Sequence, residues 1–217
     1  MEARRRRAVW TSAIAVAVLL IAGVAGWGIY ASQRSSSYRT PANASADADG
    51  LVVGSGHPTV DVYLDFMCPH CKQFEEAAGS ALDRLVADKK IELVYHPVAF
   101  LDAASTNEYS TRSSASSACA PDGGKLSEYV RALFARQPAE GGPGLSDDEL
   151  VQAGASVGLT DPAFARCVRG GDYRSWTAHV TDAASERGVT STPTVFVDGR
   201  QTEPSAAAIT AAVQATS

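Results

Sequence analysis

A Cys-x-x-Cys pair stands where a strand pattern gives way to a helix pattern. Thr59–Phe66 alternates apolar and polar residues, which predicts a β-strand that runs directly into Cys68-Pro69-His70-Cys71. Apolar residues at helical spacing then begin with Phe74, and Ile91–His96 predicts a second strand. A strand, a helix and a strand in this order predict a parallel βαβ unit with the cysteine pair at the start of its helix.

The remainder of the domain shows helical patterns followed by a hairpin. Helical patterns fill an insertion over about residues 104–171, which includes a capping box formed by Ser146 and Glu149. Thr194–Val197 predicts a third strand, and Asp198-Gly199 predicts a tight turn into a further strand. A final helix closes the chain. The predicted fold class is therefore α/β, with helices inserted between two strand-containing halves.

The position of the cysteine pair favours redox chemistry. Cys68 falls at a helix N-terminus, where unpaired N–H groups and the helix dipole stabilise an anion and lower the pKa of a thiol. Cys71 lies one turn further on, within bonding reach, so it can resolve a mixed disulfide formed at Cys68. The ring of His70 can donate to the Cys68 thiolate or place a positive charge beside it. We therefore expect a strained Cys68–Cys71 disulfide that is given away to a substrate.

Two less reactive interpretations of the Cys-x-x-Cys pair stay open. Zinc sites usually bring two close ligand pairs, and here the other cysteines stand alone and the histidines are scattered, so no metal site and no cofactor are predicted. A plain structural disulfide is the second alternative.

The remaining cysteines, Cys119 and Cys167, both fall in the helical insertion, and in an exported domain they are expected to form a structural disulfide. Free buried thiols are the alternative for these two.

The first 50 residues of the chain differ in composition from the rest. No charged residue occurs from Ala8 to Gln33, and Arg4–Arg7 precedes this span, so residues 1–33 predict a cytoplasmic start and one transmembrane helix. A cleaved signal peptide is the alternative. Residues 34–50 are predicted to be a flexible linker, because they contain almost no large apolar residue. Either reading places the domain, residues 51–217, outside the cytoplasm.

Charge excludes one class of partner for this domain. Residues 1–50 hold six of the 19 basic and three of the 24 acidic side chains, which leaves residues 51–217 with a formal net charge of −8. Proteins that bind nucleic acid present a basic surface to the phosphates. Nucleic acid is therefore not expected as a partner.

The combination of motifs resembles a known family. Cys68-Pro69-His70-Cys71 after a strand, the stretch from Gly188 through Thr192-Pro193 to Val197, and the helical insertion are similar to the DsbA-like thiol:disulfide oxidoreductases, especially the membrane-anchored, extracytoplasmic members. The resemblance covers about residues 51–217. It implies a thioredoxin-like fold with an inserted helical subdomain. It also implies reduced or unfolded exported proteins as substrates, and a membrane partner of the DsbB or vitamin K epoxide reductase type that re-oxidises the protein.

The resemblance also implies roles for individual residues. Cys68 is the nucleophile, Cys71 is the resolving thiol, Pro193 is cis and faces the disulfide, and Thr192 contacts the substrate backbone. From the residues alone, a trans proline at the start of a strand is the default. Many relatives place an acid on the core strand, six residues before the first cysteine, where this chain has Val62. Asp65 is the nearest acid, and it either relays protons or ends the strand as a solvated residue.

Three functions are compatible with these observations. The first is an oxidase that donates disulfides to exported proteins. The second is a reductase or isomerase of the same fold, since a threonine before the proline suits that activity too. The third is an exported binding or chaperone module whose Cys-x-x-Cys disulfide is structural. Reactivity separates the third from the others, because a catalytic pair with a low-pKa thiol exchanges quickly with mild reductants.

Overall fold

A five-stranded mixed sheet forms the centre of the protein. The computed structural model describes residues 38–120 and 124–216. The strands are β1 (Leu51–Gly54), β2 (Thr59–Leu64), β3 (Glu92–Pro97), β4 (Thr194–Val197) and β5 (Arg200–Thr202), in the spatial order β1-β3-β2-β4-β5. β2 and β3 run parallel, and the other neighbouring strands run antiparallel. The predicted parallel βαβ unit is confirmed, and so is the hairpin from β4 to β5.

Seven helices of the described residues surround the sheet, and four of them form the insertion between β3 and the second half of the fold. A single turn of 3-10 helix, Asp102–Ala104, precedes that insertion. The helices are α1 (Pro69–Ala87), α2 (Tyr109–Cys119), α3 (Leu126–Ala135), α4 (Asp147–Ala155), α5 (Pro162–Gly170), α6 (Arg174–Glu186) and α7 (Ala206–Thr216). The predicted capping box is present at the start of α4, where Ser146 and Glu149 bond reciprocally.

The strand boundaries differ slightly from the predicted ones. β2 ends at Leu64 instead of Phe66, because the carbonyl of Asp65 accepts a hydrogen bond from the backbone N–H of Cys68 and turns the chain. β3 is shifted by one residue, to Glu92–Pro97. β1 was not predicted, since four residues without alternation carry little strand signal; it pairs antiparallel with β3.

The buried strand β2 fixes where the cysteine pair lies. Val62, Tyr63 and Leu64 are consecutive residues, and each is no more than 1% exposed. Consecutive strand residues point to opposite faces of a sheet, so β2 is covered on both faces. The loop that follows β2 and the first turn of α1 therefore emerge from a rigid, fully packed element.

The described part of the predicted linker 34–50 is packed against the domain, which corrects that prediction. Tyr38 stacks on the ring of His179 in α6, with the ring centroids 4.3 Å apart. The indole N–H of Trp176, also in α6, donates to the carbonyl of Ala48 at 2.6 Å. Apart from Tyr38, the segment has no large apolar residue, but aromatic partners on α6 and backbone hydrogen bonds hold it. Composition alone does not show such partners.

The predicted transmembrane segment, within residues 1–33, lies outside the described residues. Among residues 38–120 and 124–216, the helices are too short or too polar to cross a bilayer.

Candidate active site

The cysteine pair lies at the junction of β2 and α1, as predicted. α1 begins at Pro69, and Cys68 is its N-cap residue. Proline suits the first helical position because it lacks the N–H that would stay unpaired there. Both cysteines are free thiols, and Cys68 is 5% exposed while Cys71 is 1% exposed. The structure thus describes the dithiol form, with the first sulfur nearer to solvent than the second.

The surroundings of Cys68 favour its thiolate. The hydrogen bond from the Cys71 thiol lowers the pKa of Cys68 to about 5, with help from Thr192 and from the backbone N–H groups of Cys71 and His70; burial opposes the change. A thiol with this pKa is ionised at neutral pH. The direction agrees with the expectation from a helix N-terminus.

Cys71 has the opposite character. Burial is the main cause that raises the pKa of its thiol, and the neighbouring Cys68 raises it further. Cys71 therefore stays protonated while Cys68 is ionised, and it donates the hydrogen bond that stabilises the Cys68 thiolate. Two cysteines three positions apart are thus chemically distinct because one is closer to solvent and the other is enclosed.

Among the described residues, the ring of His70 makes no hydrogen bond to Cys68, so the donor role expected from the sequence is not seen. Its Nδ1 lies 3.3 Å from Oε1 of Gln73, on the exposed face of α1. His70 contributes to the lowered pKa of Cys68 through its backbone N–H. The physical reason is that a residue two positions after an N-cap presents its N–H to the cap while its side chain points outward.

The loop before β4 completes the site from the far end of the sequence. The Thr192–Pro193 peptide bond is cis, as the resemblance implied. The Sγ atom of Cys68 lies 3.4 Å from the carbonyl oxygen of Thr192, a contact between residues 124 positions apart. The pairing of Tyr63 with Thr194 brings the start of β4 to the end of β2, and so places this loop against the cysteines.

Asp65 is enclosed beside the cysteine pair. It is fully buried and accepts hydrogen bonds from the backbone N–H of Met67 at 2.8 Å, the backbone N–H of Leu101 at 2.9 Å and the hydroxyl of Ser110 at 2.6 Å. Burial raises the pKa of Asp65 to about 6, the three donors partly offset that rise, and the charge of Cys68 adds to it. Asp65 is therefore not the solvated strand end that one sequence-based alternative described.

An open groove of about 530 Å³ adjoins the cysteine pair. Its walls come from the first turns of α1, the cis-proline loop and the segment before α7, and they include His70, Phe74, Ala77, Thr192, Pro193 and Pro204. Apolar and small side chains predominate in this lining, which suits an extended polypeptide better than a charged small molecule.

Two residues of the insertion that the sequence did not single out also reach this site. Ser110 in α2 donates to Asp65, and Gln137 after α3 donates to two carbonyl groups of the loop that carries Cys68. Serine and glutamine are common on helix surfaces and ends, so no sequence pattern marked them. Only the tertiary fold brings them to the site.

The other cysteines form a separate bridge. A disulfide joins Cys119 at the end of α2 to Cys167 in α5, with the Cα atoms 6.0 Å apart. It lies within the helical insertion and is the pairing expected from the sequence. Within the part of the chain that the structure describes, no group of three or more histidine, cysteine or acidic side chains is arranged to hold a metal ion.

Comparison with known proteins identifies a matching family and similar solved structures for the domain. The model of a family described as Thioredoxin matches residues 49–215. A reduced disulfide bond oxidoreductase, DsbG, from Mycobacterium tuberculosis is 30% identical with a TM-score of 0.68, covering 77% of this chain and 87% of that chain. Reduced DsbA from the same organism is 29% identical with a TM-score of 0.67, covering 77% of this chain and 92% of that chain.

A curated relative shows the same kind of sequence inside a larger protein. The serine/threonine-protein kinase PknE of Mycobacterium tuberculosis is 34% identical over 157 residues, which is 64% of this chain and 28% of the kinase. This chain therefore spans just over a quarter of the length of the curated relatives it matches.

Proposed function

This chain belongs to the thioredoxin family and is a thiol-disulfide oxidoreductase of the DsbA type, and we propose that it donates disulfide bonds to exported proteins. The observation that carries the proposed direction is the contrast between Cys68, whose pKa is lowered to about 5, and Cys71, whose pKa is raised. A stable thiolate favours the reduced form of the pair, and a pair that prefers to be reduced gives its disulfide away.

The size of this preference follows from the pKa of Cys68. An ordinary thiol with a pKa of 9.0 is protonated at pH 7, whereas one with a pKa of about 5 is ionised. The pKa of Cys68 lies about two units below pH 7. This gap favours the thiolate over the thiol by about 2.7 kcal/mol, which corresponds to about 60 mV in reduction potential. This contribution moves the couple towards the oxidising end of the range found in thioredoxin-fold proteins.

The exchange transfers two electrons in two displacement steps. A substrate thiolate attacks Sγ of Cys68 in the disulfide form, the bond to Cys71 breaks, and Cys71 leaves as a thiolate that takes up a proton. A second substrate thiolate then attacks the substrate sulfur of the mixed disulfide, and Cys68 leaves as a stable thiolate. The substrate dithiol is oxidised to a disulfide, and the Cys68–Cys71 pair is reduced.

Asp65 supports the proton transfer in this scheme. The Cys71 thiolate must be protonated as it leaves, because its pKa is raised by burial. Asp65 is buried near both sulfurs, and its pKa of about 6 is close enough to neutral pH for it to take up and release a proton. We assign it the role of a proton relay for Cys71.

Thr192, Pro193 and the adjoining groove hold the substrate. The carbonyl of Thr192 lies beside Cys68, and an extended substrate chain lying in the groove would place its own cysteine at that sulfur. Recognition through backbone groups and apolar walls suits many unfolded substrates, since it depends little on their sequence.

The proposed location is extracytoplasmic, with the domain held at the membrane by a single pass within residues 1–33. The uncharged span after Arg4–Arg7 supports this, and so does the Cys119–Cys167 disulfide, which suits an oxidising compartment. Re-oxidation of the Cys68–Cys71 pair then falls to a membrane partner of the DsbB or vitamin K epoxide reductase type.

Redox equilibration with glutathione, together with the pH profile of Cys68 alkylation, tests the proposed direction. We expect an equilibrium constant on the oxidising side of thioredoxin and alkylation that persists below pH 6. A Cys68→Ser variant is the control for the modified residue. A reduction potential near the cytosolic poise would point to a reductase or isomerase, and a pair that resists mild reductant would point to a structural disulfide.

A further inference from the structure

Gln137 joins the helical insertion to the loop that carries Cys68. Its side-chain amide nitrogen lies 2.9 Å from the carbonyl oxygen of Phe66 and 2.9 Å from that of Cys68, although 71 and 69 positions separate these residues. A carboxamide has two N–H donors, so both carbonyls can be served by one side chain. The backbone N–H of Gln137 in turn donates to Phe134 and ties the residue to the last turn of α3.

We propose that Gln137 is a positioning residue that holds the backbone of the loop in the conformation in which Cys68 exchanges. The proposal rests on the role of Cys68 as the exchanging sulfur. It adds a specific contribution of the helical insertion to the chemistry of that sulfur.

The carbonyl of Cys68 is the acceptor on which the start of α1 depends. Besides Gln137, it accepts hydrogen bonds from the backbone N–H of Cys71 at 3.1 Å and of Lys72 at 3.3 Å. The same helix start presents the N–H groups of His70 and Cys71 to the Cys68 sulfur, where they stabilise the thiolate. An amide that fixes the orientation of this carbonyl therefore also fixes the direction of those N–H groups.

A second contact at the same junction makes a structural control possible. The rings of Phe66 and Phe134 pack with their centroids 5.1 Å apart, so α3 docks on the loop through apolar packing as well as through Gln137. Loss of Phe134 packing would weaken the docking and leave the amide donors in place. Loss of the donors would leave the packing in place.

The test compares four variants of the full chain with the unmodified protein: two at Gln137, one at Phe134 and one at Gln152. Gln137→Met keeps the side-chain volume and removes both donors, Phe134→Leu weakens only the packing, and Gln152→Ala changes an exposed glutamine in α4 of the same insertion. The readouts are the redox equilibrium with glutathione, the ultraviolet titration of the Cys68 thiolate and the melting temperature.

We expect Gln137→Met to shift the redox equilibrium about three- to tenfold towards the disulfide form and to raise the pH of thiolate formation in step. Gln137→Glu, which keeps the shape but repels both carbonyls, is expected to shift both further in the same direction. Phe134→Leu is expected to lower the melting temperature while the redox equilibrium stays within twofold, and Gln152→Ala is expected to change neither.

Two outcomes would overturn the proposal. One is a Gln137→Met protein that melts earlier but keeps its redox equilibrium and titration within twofold, since the amide would then be only structural. The other is a failure of both Gln137 variants to fold while Phe134→Leu folds. An ordinary thiol titration in the unmodified protein would instead contradict the proposed function itself, before any variant of Gln137 is made.

Discussion

Asp65 and Glu75 are two buried carboxyl groups in very different surroundings. Both are at most 4% exposed, and burial raises the pKa of Asp65 to about 6 and that of Glu75 to about 7. Asp65 accepts three hydrogen bonds, whereas neither carboxylate oxygen of Glu75 has a hydrogen-bond partner among the described residues. Arg131 lowers the pKa of Glu75 only in part, and its guanidinium is paired with Asp83.

The comparison shows that a buried carboxylate with hydrogen-bond donors orders the residues around it, whereas one without donors lowers the stability of the fold. Asp65 fixes the turn after β2 through the backbone of Met67 and ties that turn to α2 through Ser110. Glu75 occupies space over Gly79, where a Cβ atom would lie 2.4 Å from its Oε1. Burial without donors raises the free energy of the charged form, so Glu75 should lower the stability of the fold once it ionises.

The largest effect is expected from removal of Asp65. Asp65→Ala leaves the donors of Met67, Ser110 and Leu101 without this acceptor, the first two of them buried. The loss of these hydrogen bonds outweighs the relief of a buried charge, so we expect a loss of about 3 kcal/mol in unfolding free energy at pH 7. Denaturant titration measures it, with Asp182→Ala on the exposed face of α6 as the control. A loss no greater than that of the control would mean that the three hydrogen bonds contribute little.

Replacement of Glu75 is expected to raise the unfolding free energy, the opposite of the effect at Asp65. Its pKa is about 7 in the fold against 4.5 ordinarily, so the folded state binds more protons than the unfolded state between these values and stability falls as pH rises through that window. Glu75→Gln removes this loss, and we expect it to be more stable than the unmodified protein by about 1–3 kcal/mol at pH 8. Near pH 4 the two proteins should be equally stable.

Glu76→Gln is the matched control for this variant, because Glu76 is the next residue of α1 and is exposed. It should leave the pH dependence of unfolding unchanged. A Glu75→Gln protein whose stability follows the unmodified protein at every pH would show that Glu75 is solvated in solution.

A smaller effect is expected from Ser110. Ser110→Ala removes one of the donors that lower the pKa of Asp65, so the pKa should rise above about 6 and the unfolding free energy should fall by about 1–2 kcal/mol. Ser113→Ala is the control, since that buried hydroxyl bonds only to carbonyls of its own helix. It should lower stability without moving the pH at which Asp65 titrates.

The smallest expected effect is that of Asp65 on the pH at which Cys68 becomes reactive. The charge of Cys68 raises the pKa of Asp65, and this coupling is reciprocal, so Asp65→Asn should lower the pH at which Cys68 becomes reactive by less than about one unit. The rate of alkylation as a function of pH measures the shift, with Asp182→Asn alongside. A shift to higher pH would mean that Asp65 supports the thiolate through the loop and not through its charge.

The contrast between Asp65 and Glu75 also shows how far sequence reasoning reaches. The strand, the turn and the helix around Cys68 follow from periodicity, and so does the position of Asp65 near that sulfur. The burial of Glu75 does not follow, because a glutamate within a helix pattern is ordinarily assigned to the solvent face. Whether a carboxylate meets donors depends on residues such as Ser110, which only the tertiary fold brings close.

The same limit applies to the cause of the low pKa of Cys68. Its direction follows from a helix start, which is local in sequence. The partner that contributes most is the thiol of Cys71 and not the imidazole of His70, since burial decides which neighbouring side chain can face the sulfur.

The bridge between Cys119 and Cys167 has a consequence for how the molecule is made. The two cysteines are 48 positions apart and close a loop through the insertion, so this bond must be installed in each newly synthesised copy. The proposed disulfide donor thereby needs a disulfide installed in itself. Under the proposed function, an oxidised mature copy is a chemically competent donor of this bond to a newly synthesised copy.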